Sequence, residues 1–217
     1  PIGSTILVRE LKPGELPVGA RFMAKPYRDA AGSGTHVHVS LVDRAGHNAF
    51  AADEPFANPR LRHAAAGLID TMPDGMAVFA PNANSYRRFR PESYVPLHAT
   101  WGHNNRGVAV RVPPSGATDR RLEHRVAGAD VNPYLLTAVV LAGMHHGLAC
   151  GRDPGPPLAG NAYHVSAEAT PLPVHWPVAL ERFRRSTVLR EYLGSRFVDL
   201  YAGVKAALTE QGVAFDP

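Results

Sequence analysis

The sequence predicts an α+β domain, because strand-like runs come early in the chain and helical periodicity comes late. Three observations lead there. His36-Val37-His38-Val39-Ser40-Leu41-Val42 alternates polar and apolar residues with period two, the mark of a half-buried strand. Gly107 to Val112 and Leu122 to Val126 are two further β-prone runs, separated by the turn chemistry of Pro113-Pro114-Ser115-Gly116. From Asn132-Pro133 onward the apolar residues recur at helical spacing.

In chain order, Pro1 to Pro26 holds a strand-like Ile6-Leu7-Val8 and a turn-rich stretch from Lys12 to Pro17. The strand from His36 to Val42 sets His36, His38 and Ser40 on one face, since successive side chains alternate. Asp43-Arg44-Ala45-Gly46 reads as a turn, and Asn58-Pro59 opens an amphipathic helix to about Met72 with Leu61, Ala65, Leu68 and Ile69 inward. The runs at 107–112 and 122–126 are expected to neighbour each other in a sheet. The helix from Tyr134 to about Leu148 is apolar on most sides and is expected to be buried, with Leu135, Leu136, Val139, Val140 and Met144 in the core. Asp153 to Pro157 is a loop, Trp176-Pro177 starts a helix carrying Leu180, Phe183 and Val188, and a last helix runs from Ser195 to about Leu208. The 217 residues read as a single domain, with 1–24 as a lead-in and 150–162 as an internal loop.

Hydrophobic residues at 45%, charged residues at 19%, and 20 each of Gly and Pro describe a globular chain with many turns. No uninterrupted apolar run approaches about 18 residues and no charged-then-apolar leader is visible, so no membrane span or signal peptide is expected and the cytoplasm is the expected compartment. The single cysteine, Cys150, cannot form an internal disulfide and is expected to be a small buried apolar residue in a reducing compartment. A net charge of +4 raises the question of nucleic acid, and the distribution argues against it. Between Arg87 and Arg125 there are eight arginines (87, 88, 90, 106, 111, 120, 121, 125), no lysine, and three acids (Glu92, Asp119, Glu123). Lysine-free clustering suits forked recognition of carboxylate and phosphate oxygens, so small anions are the expected ligands.

The chemistry is concentrated in a few segments. Lys25-Pro26 leads into Gly32-Ser33-Gly34-Thr35-His36-Val37-His38, where the glycines let the backbone approach a ligand and a strand imidazole is a competent metal ligand. Asn84-Ser85-Tyr86-Arg87-Arg88 and Asn105-Arg106 to Arg111 follow. In Arg121-Leu122-Glu123-His124-Arg125, the alternate residues 121, 123 and 125 share one strand face, which flanks a carboxylate with two guanidinium groups. Ala129-Asp130-Val131-Asn132-Pro133-Tyr134-Leu135 closes the set.

In that order these motifs resemble the catalytic domain of the glutamine synthetase family, strongly over residues 22 to 148 and weakly to about 208. The resemblance implies an antiparallel-rich curved sheet packed with helices, incomplete at both ends. It further implies ATP-dependent ligation of the γ-carboxylate of glutamate to an amine through a γ-glutamyl phosphate, with Mg²⁺ or Mn²⁺ as the metal. Carried over residue by residue, His36 and Glu123 match metal ligands, and His38, Ser40 and Arg121 match nucleotide contacts. Gly32, Arg88 and Arg125 match groups that hold glutamate, and Arg106 and Arg111 match phosphate-binding arginines. Arg88 and Arg106 are implied to neutralise the phosphoryl oxygens in the reaction. Arg106 and Arg111 differ in strand parity, so a bulge or a strand end must bring both to one site.

The sequence also departs from the family pattern. Ala31 stands where the family has an asparagine, and Tyr94 stands where ammonia-using members carry a glutamate that helps accept the amine proton. A phenol is a poor base at neutral pH, but its ring can pack on an apolar substituent, so larger amines such as polyamines or ethanolamine are the implied acceptors. The family's Glu-x-Glu strand, which supplies metal carboxylates, has no counterpart before Lys25, and the usual aromatic ending is missing after Pro217. In the family a neighbouring subunit completes the site, so a homo-oligomer is implied for the full-length form. The competing expectation is a truncated or degenerate member kept as a binding or assembly scaffold.

Overall fold

A computed structural model of the chain describes residues 22–165 and 169–210. The strand-like Ile6-Leu7-Val8, the turn-rich stretch from Lys12 and nearly all of the 1–24 lead-in lie outside the described residues.

Two capped helices form the centre. Helix α1 (Pro59–Phe79) starts where Asn58 Oδ1 accepts from the backbone N–H of Arg60 (2.9 Å) and Leu61 (3.2 Å), with proline at the first helical position. Helix α2 (Pro133–Cys150) repeats the device, Asn132 Oδ1 accepting from Tyr134 (3.0 Å) and Leu135 (3.2 Å). The expected end of α1 near Met72 is overrun. The helix continues through Pro73, which cannot donate to the carbonyl four residues back, because Met76, Ala77, Val78 and Phe79 beyond it are all buried. The two helices cross backbone to backbone: a Cβ on Gly67 would collide with Gly143 O, and one on Gly147 with His63 O.

Helix α2 is the one described helix whose length and mean hydropathy of 1.3 would suffice to cross a membrane. Its Leu136, Val139, Val140, Ala142 and Met144 are buried in the core. Burial is one-sided, contrary to the expectation from its composition, since Tyr134 is 84% and Leu141 46% exposed. Cys150, expected to be buried, is exposed at the end of α2, where Gly151 (φ +59°) ends the helix in the left-handed region.

The sheet has the order β1-β4-β3-β2, from β1 (Val37–Val39), β2 (Trp101–His103), β3 (Val110–Val112) and β4 (Leu122–His124). Two of its three pairings are antiparallel (β1 with β4, β3 with β4), and β2 runs parallel to β3. The predicted pairing of the 107–112 and 122–126 runs is present, in shorter strands. Strand β2 was not expected. Val110, Val112, Leu122 and His124 are buried on the helix side, with the His124 ring 4.4 Å from that of Phe79 on α1.

Beyond the loop after α2, the helix predicted from Trp176 is two helices. Helix α3 (Trp176–Arg185) stops at Ser186, whose extended backbone (φ −62°, ψ 116°) and Oγ, accepting from Leu189 N at 3.2 Å, start α4 (Thr187–Leu193). Val188 therefore belongs to α4. Gly194 (φ +84°) turns the chain into α5 (Ser195–Glu210). Tyr201 and Lys205 of α5 donate to Ala77 O (2.9 Å) and Pro81 O (2.7 Å), which fixes it against the end of α1.

Candidate functional site

The register of the sheet assembles the first half of the site. Glu123 on β4 has His38 of β1 as its partner on one side and Arg111 of β3 on the other. Its side chain is only 3% exposed, which a carboxylate tolerates when paired. Arg111 Nη1 donates to Oε2 at 2.8 Å and Arg125 Nη1 to Oε1 at 2.6 Å. His36 Nδ1 lies 3.1 Å and His38 Nε2 3.8 Å from Oε1. Burial alone would push the Glu123 carboxyl up. Hydrogen bonds with His36 and Arg111 and the charges of Arg125 and Arg111 outweigh it and hold the carboxyl well below the usual range. His38 is pushed down, by burial first and then against the pull of Glu123 by Arg121, His36 and Arg111, so it is neutral at pH 7. Its Nδ1 accepts from Arg121 Nε at 3.2 Å.

Arg88 forms the second half. It sits at the end of a 3-10 turn (Ala83–Arg88) that Asn84 ties to the Lys25-Pro26 segment, accepting from Lys25 N (2.9 Å) and donating to Lys25 O (3.0 Å). Its guanidinium threads between bare glycine backbones. A Cβ on Gly32 would lie 2.7 Å from Arg88 Cγ, one on Gly34 3.0 Å from Nη2, and one on Gly128 3.2 Å from Nη1. The same Gly34 position is 3.8 Å from His36 Nε2, so Gly34 lies between the two halves. Arg88 is 4% exposed, donates from Nη1 to Val126 O at 3.1 Å, and makes no ion pair among the described residues. Burial lowers it to about 10, partly opposed by Asp130, which leaves it cationic at neutral pH.

The described cluster therefore carries Arg88, Arg106, Arg111, Arg121 and Arg125 against two carboxylates, Glu123 and, beside Arg88, Asp130, and its surplus positive charge suits anionic ligands. Its donor set fits part of a divalent metal site. His36 and Glu123 adjoin, but no three His, Cys, Asp or Glu side chains are placed to hold a metal ion by themselves among the described residues. Mg²⁺ and Mn²⁺ take one or two protein groups and fill the rest of their shell with water and phosphate oxygens, so the pair could hold one with donors from elsewhere.

The chain matches a known family, glutamine synthetase, catalytic domain, over residues 16–212. The chain belongs to the glutamine synthetase family. Gamma-glutamylputrescine synthetase of Escherichia coli is 46% identical over 186 residues, which cover 86% of this chain and 39% of that protein. Glutamate–isopropylamine ligase of a Pseudomonas species is 38% identical (90% and 43% covered), and gamma-glutamylethanolamide synthetase of Streptomyces coelicolor 37% (83% and 38%). The ADP complex of GmaS superposes with a TM-score of 0.79 at 31% identity, over 90% of this chain and 46% of that one. The chain thus spans about two fifths of the length of the curated relatives it matches.

Within this glutamine synthetase family chain the residues singled out from sequence fall into three groups. His36, His38, Arg111, Arg121, Glu123 and Arg125 meet on one face, and Gly32 with Arg88 adjoins them. Arg106 lies in the turn before β3, which begins only at Val110, so its parity with Arg111 is immaterial; its carbonyl accepts from Arg125 Nη2 at 2.9 Å. Ser40 donates to Arg120 O at 3.4 Å, and Tyr94 is 61% exposed with φ +57° and no ring or hydrogen-bond contact to the cluster among the described residues. Arg120, counted in the arginine cluster, is a scaffold residue whose guanidinium donates to the carbonyls of Ala52, Ser115 and Asp53. Gly34, marked by the Gly-x-Gly spacing, packs on Arg88 as Gly32 does; Asn104, which accepts from Arg111 Nη2, was missed because nothing in the periodicity marked it.

Proposed function

We propose that this chain supplies the glutamate- and phosphate-binding part of a ligase that joins the γ-carboxylate of glutamate to an amine larger than ammonia, at the expense of ATP. The observation that carries this is Arg88, a buried cation with no ion pair among the described residues, packed against the bare backbone of Gly32, Gly34 and Gly128 beside a carboxylate that two other arginines share. In this reading Arg88 and Arg125 bind glutamate's carboxylates, and Gly32, bare of a side chain, offers the substrate a backbone contact.

In the first step a γ-carboxylate oxygen attacks the terminal phosphorus of ATP, and the bond to ADP breaks. In the second the amine nitrogen attacks the acyl carbon, phosphate leaves with the carbon–oxygen pair, and the nitrogen loses a proton. Both partners of the first step are anions, so Arg88, Arg106 and Arg111 lower its barrier by sharing the phosphoryl charge, in a site whose donors are already oriented. Arg121 and neutral His38 face the nucleotide, with Ser40 just beyond β1. His36 and Glu123 would hold Mg²⁺ or Mn²⁺, which supplies Lewis-acid neutralisation of the phosphates.

The amine preference is supported by Tyr94 in place of a carboxylate and by relatives that act on putrescine, isopropylamine and ethanolamine. A homo-oligomer in the cytoplasm is the matching assembly. The test is phosphate release from ATP with glutamate and Mg²⁺ or Mn²⁺, comparing ammonia with those amines. Release with a larger amine supports the reading, and silence with every amine in the full-length protein overturns it in favour of a scaffold.

A further inference from the structure

We propose that Asn104, in the turn between β2 and β3, is a positioning residue that orients Arg111 for phosphate; the inference rests on the reading of Arg111 given above. Asn104 Oδ1 accepts from Arg111 Nη2 at 3.0 Å while Nη1 of the same guanidinium donates to Glu123 Oε2 at 2.8 Å. Arg111 Nε is buried without an acceptor among the described residues, so these two contacts are what fixes the plane. A planar fork held at both terminal nitrogens has one orientation left for its remaining N–H groups. Without Asn104 the guanidinium can swing about its bond to Glu123.

The turn is built to hold that asparagine. Asn104 adopts φ +50°, a left-handed conformation that asparagine tolerates better than most residues with a side chain. Its N–H donates to Val112 O at 3.0 Å, which anchors it to β3 one residue beyond Arg111. The next residue staples the turn from the other side: Asn105 Oδ1 accepts from Gly107 N at 2.9 Å, and its Nδ2 donates to Gly160 O at 2.9 Å. Arg106 O then takes Arg125 Nη2 at 2.9 Å. One short turn therefore grips both guanidinium groups that flank Glu123, Arg111 through a side chain and Arg125 through a carbonyl. The carbonyl grip is available to any sequence with this backbone, whereas the grip on Arg111 needs an acceptor at position 104.

The test separates the side chain from the backbone it rides on. Asn104→Gly keeps the left-handed turn and removes the acceptor; Asn104→Asp keeps both. In the full-length protein, Asn104→Gly is expected to raise the KM for ATP and the Kd for ADP by about tenfold, the scale of one lost hydrogen bond to a charged group. The KM for the amine and the Tm are expected to stay unchanged, and Asn104→Asp to restore nucleotide affinity to within about threefold. Unchanged nucleotide affinity in Asn104→Gly overturns the inference, as does Asn104→Asp failing along with it. A wild-type protein that does not bind ADP at all fails the functional reading instead, a result distinct from either.

Discussion

Replacing Glu123 with glutamine tests whether the site is held together by one buried charge. The wild-type carboxylate stands between Arg111, whose side chain is 12% exposed, and Arg125, 7% exposed. Glutamine keeps the volume and one acceptor but turns an NH₂ toward a guanidinium and leaves two cations without their anion. Breaking a buried pair from one side costs about 3–5 kcal/mol, and since Arg111 can relax toward solvent the lower figure applies here. About 3 kcal/mol in a domain of this size lowers Tm by roughly 6–12 °C. Chemical denaturation of the wild type and Glu123→Gln at pH 7 measures the loss directly. The pH dependence supplies a second readout. A carboxyl depressed by folding contributes stability that is complete above its unfolded value of 4.5 and is lost as pH falls from there through the folded value. The two proteins should therefore converge in stability as pH drops below 4.5. A loss under about 1 kcal/mol at pH 7, the figure for an exposed pair, would refute the claim that Glu123 is the buried anchor of the cluster.

Other consequences follow from single residues. Gly34→Ala places a methyl 3.0 Å from Arg88 Nη2 in a backbone that needs no left-handed φ, so glutamate KM should rise by about tenfold, or ~1.4 kcal/mol, at unchanged Tm; steady-state kinetics with a melting curve checks both. Tyr94→Glu should raise kcat/KM for ammonia relative to putrescine, and an unchanged ratio would remove Tyr94 from the acceptor site. Burial, with a smaller push from His36, lowers His124 to about 3, and neither ring nitrogen has a partner among the described residues. Below 6.5 its unfolded form takes a proton that the folded form refuses, so between pH 6.5 and 5 it should cost about 2 kcal/mol of stability. His124→Leu should flatten that slope in urea titrations and cost little at pH 7.

What the sequence disclosed of the site depended on alternation. His36 and His38, and Arg121, Glu123 and Arg125, sit two apart, and that spacing survives although only His38 and Glu123 lie within the three-residue strands and the others flank them. It did not disclose β2, because Trp101-Gly102-His103 is too short to show a period and is recognisable only by what packs on it: Leu158 N donates to Trp101 O at 2.7 Å, and a Cβ on Gly102 would meet Leu158 O at 2.6 Å. Helix α1 outran its expected end because tertiary burial of Met76 and Phe79 overrode the local signal of Pro73. Composition overstated the burial of α2 for the opposite reason, since nothing described covers Tyr134 and Leu141. Arg120 shows the limit of counting charges: a guanidinium that donates to three carbonyls looks in sequence like one that awaits a ligand.

The site and the fold share one determinant, the register of β4. Leu122 and His124, each 1% exposed, face the helices, and Glu123 between them faces the arginines. A slip of one residue would turn Glu123 into the layer occupied by Phe79 and bring Leu122 or His124 against Arg111. Burying an unpaired carboxylate among apolar side chains costs more than either strand pairing gains, so the charge that organises the ligand site also forbids the competing register. The same holds across the sheet, where His38 and Arg111 reach Glu123 only because their strands pair with β4 at that one offset. Mutations at Glu123 should accordingly disturb ligand binding and stability together, whereas those at Gly34 or Asn104, which touch the arginines from outside the ladder, should separate the two.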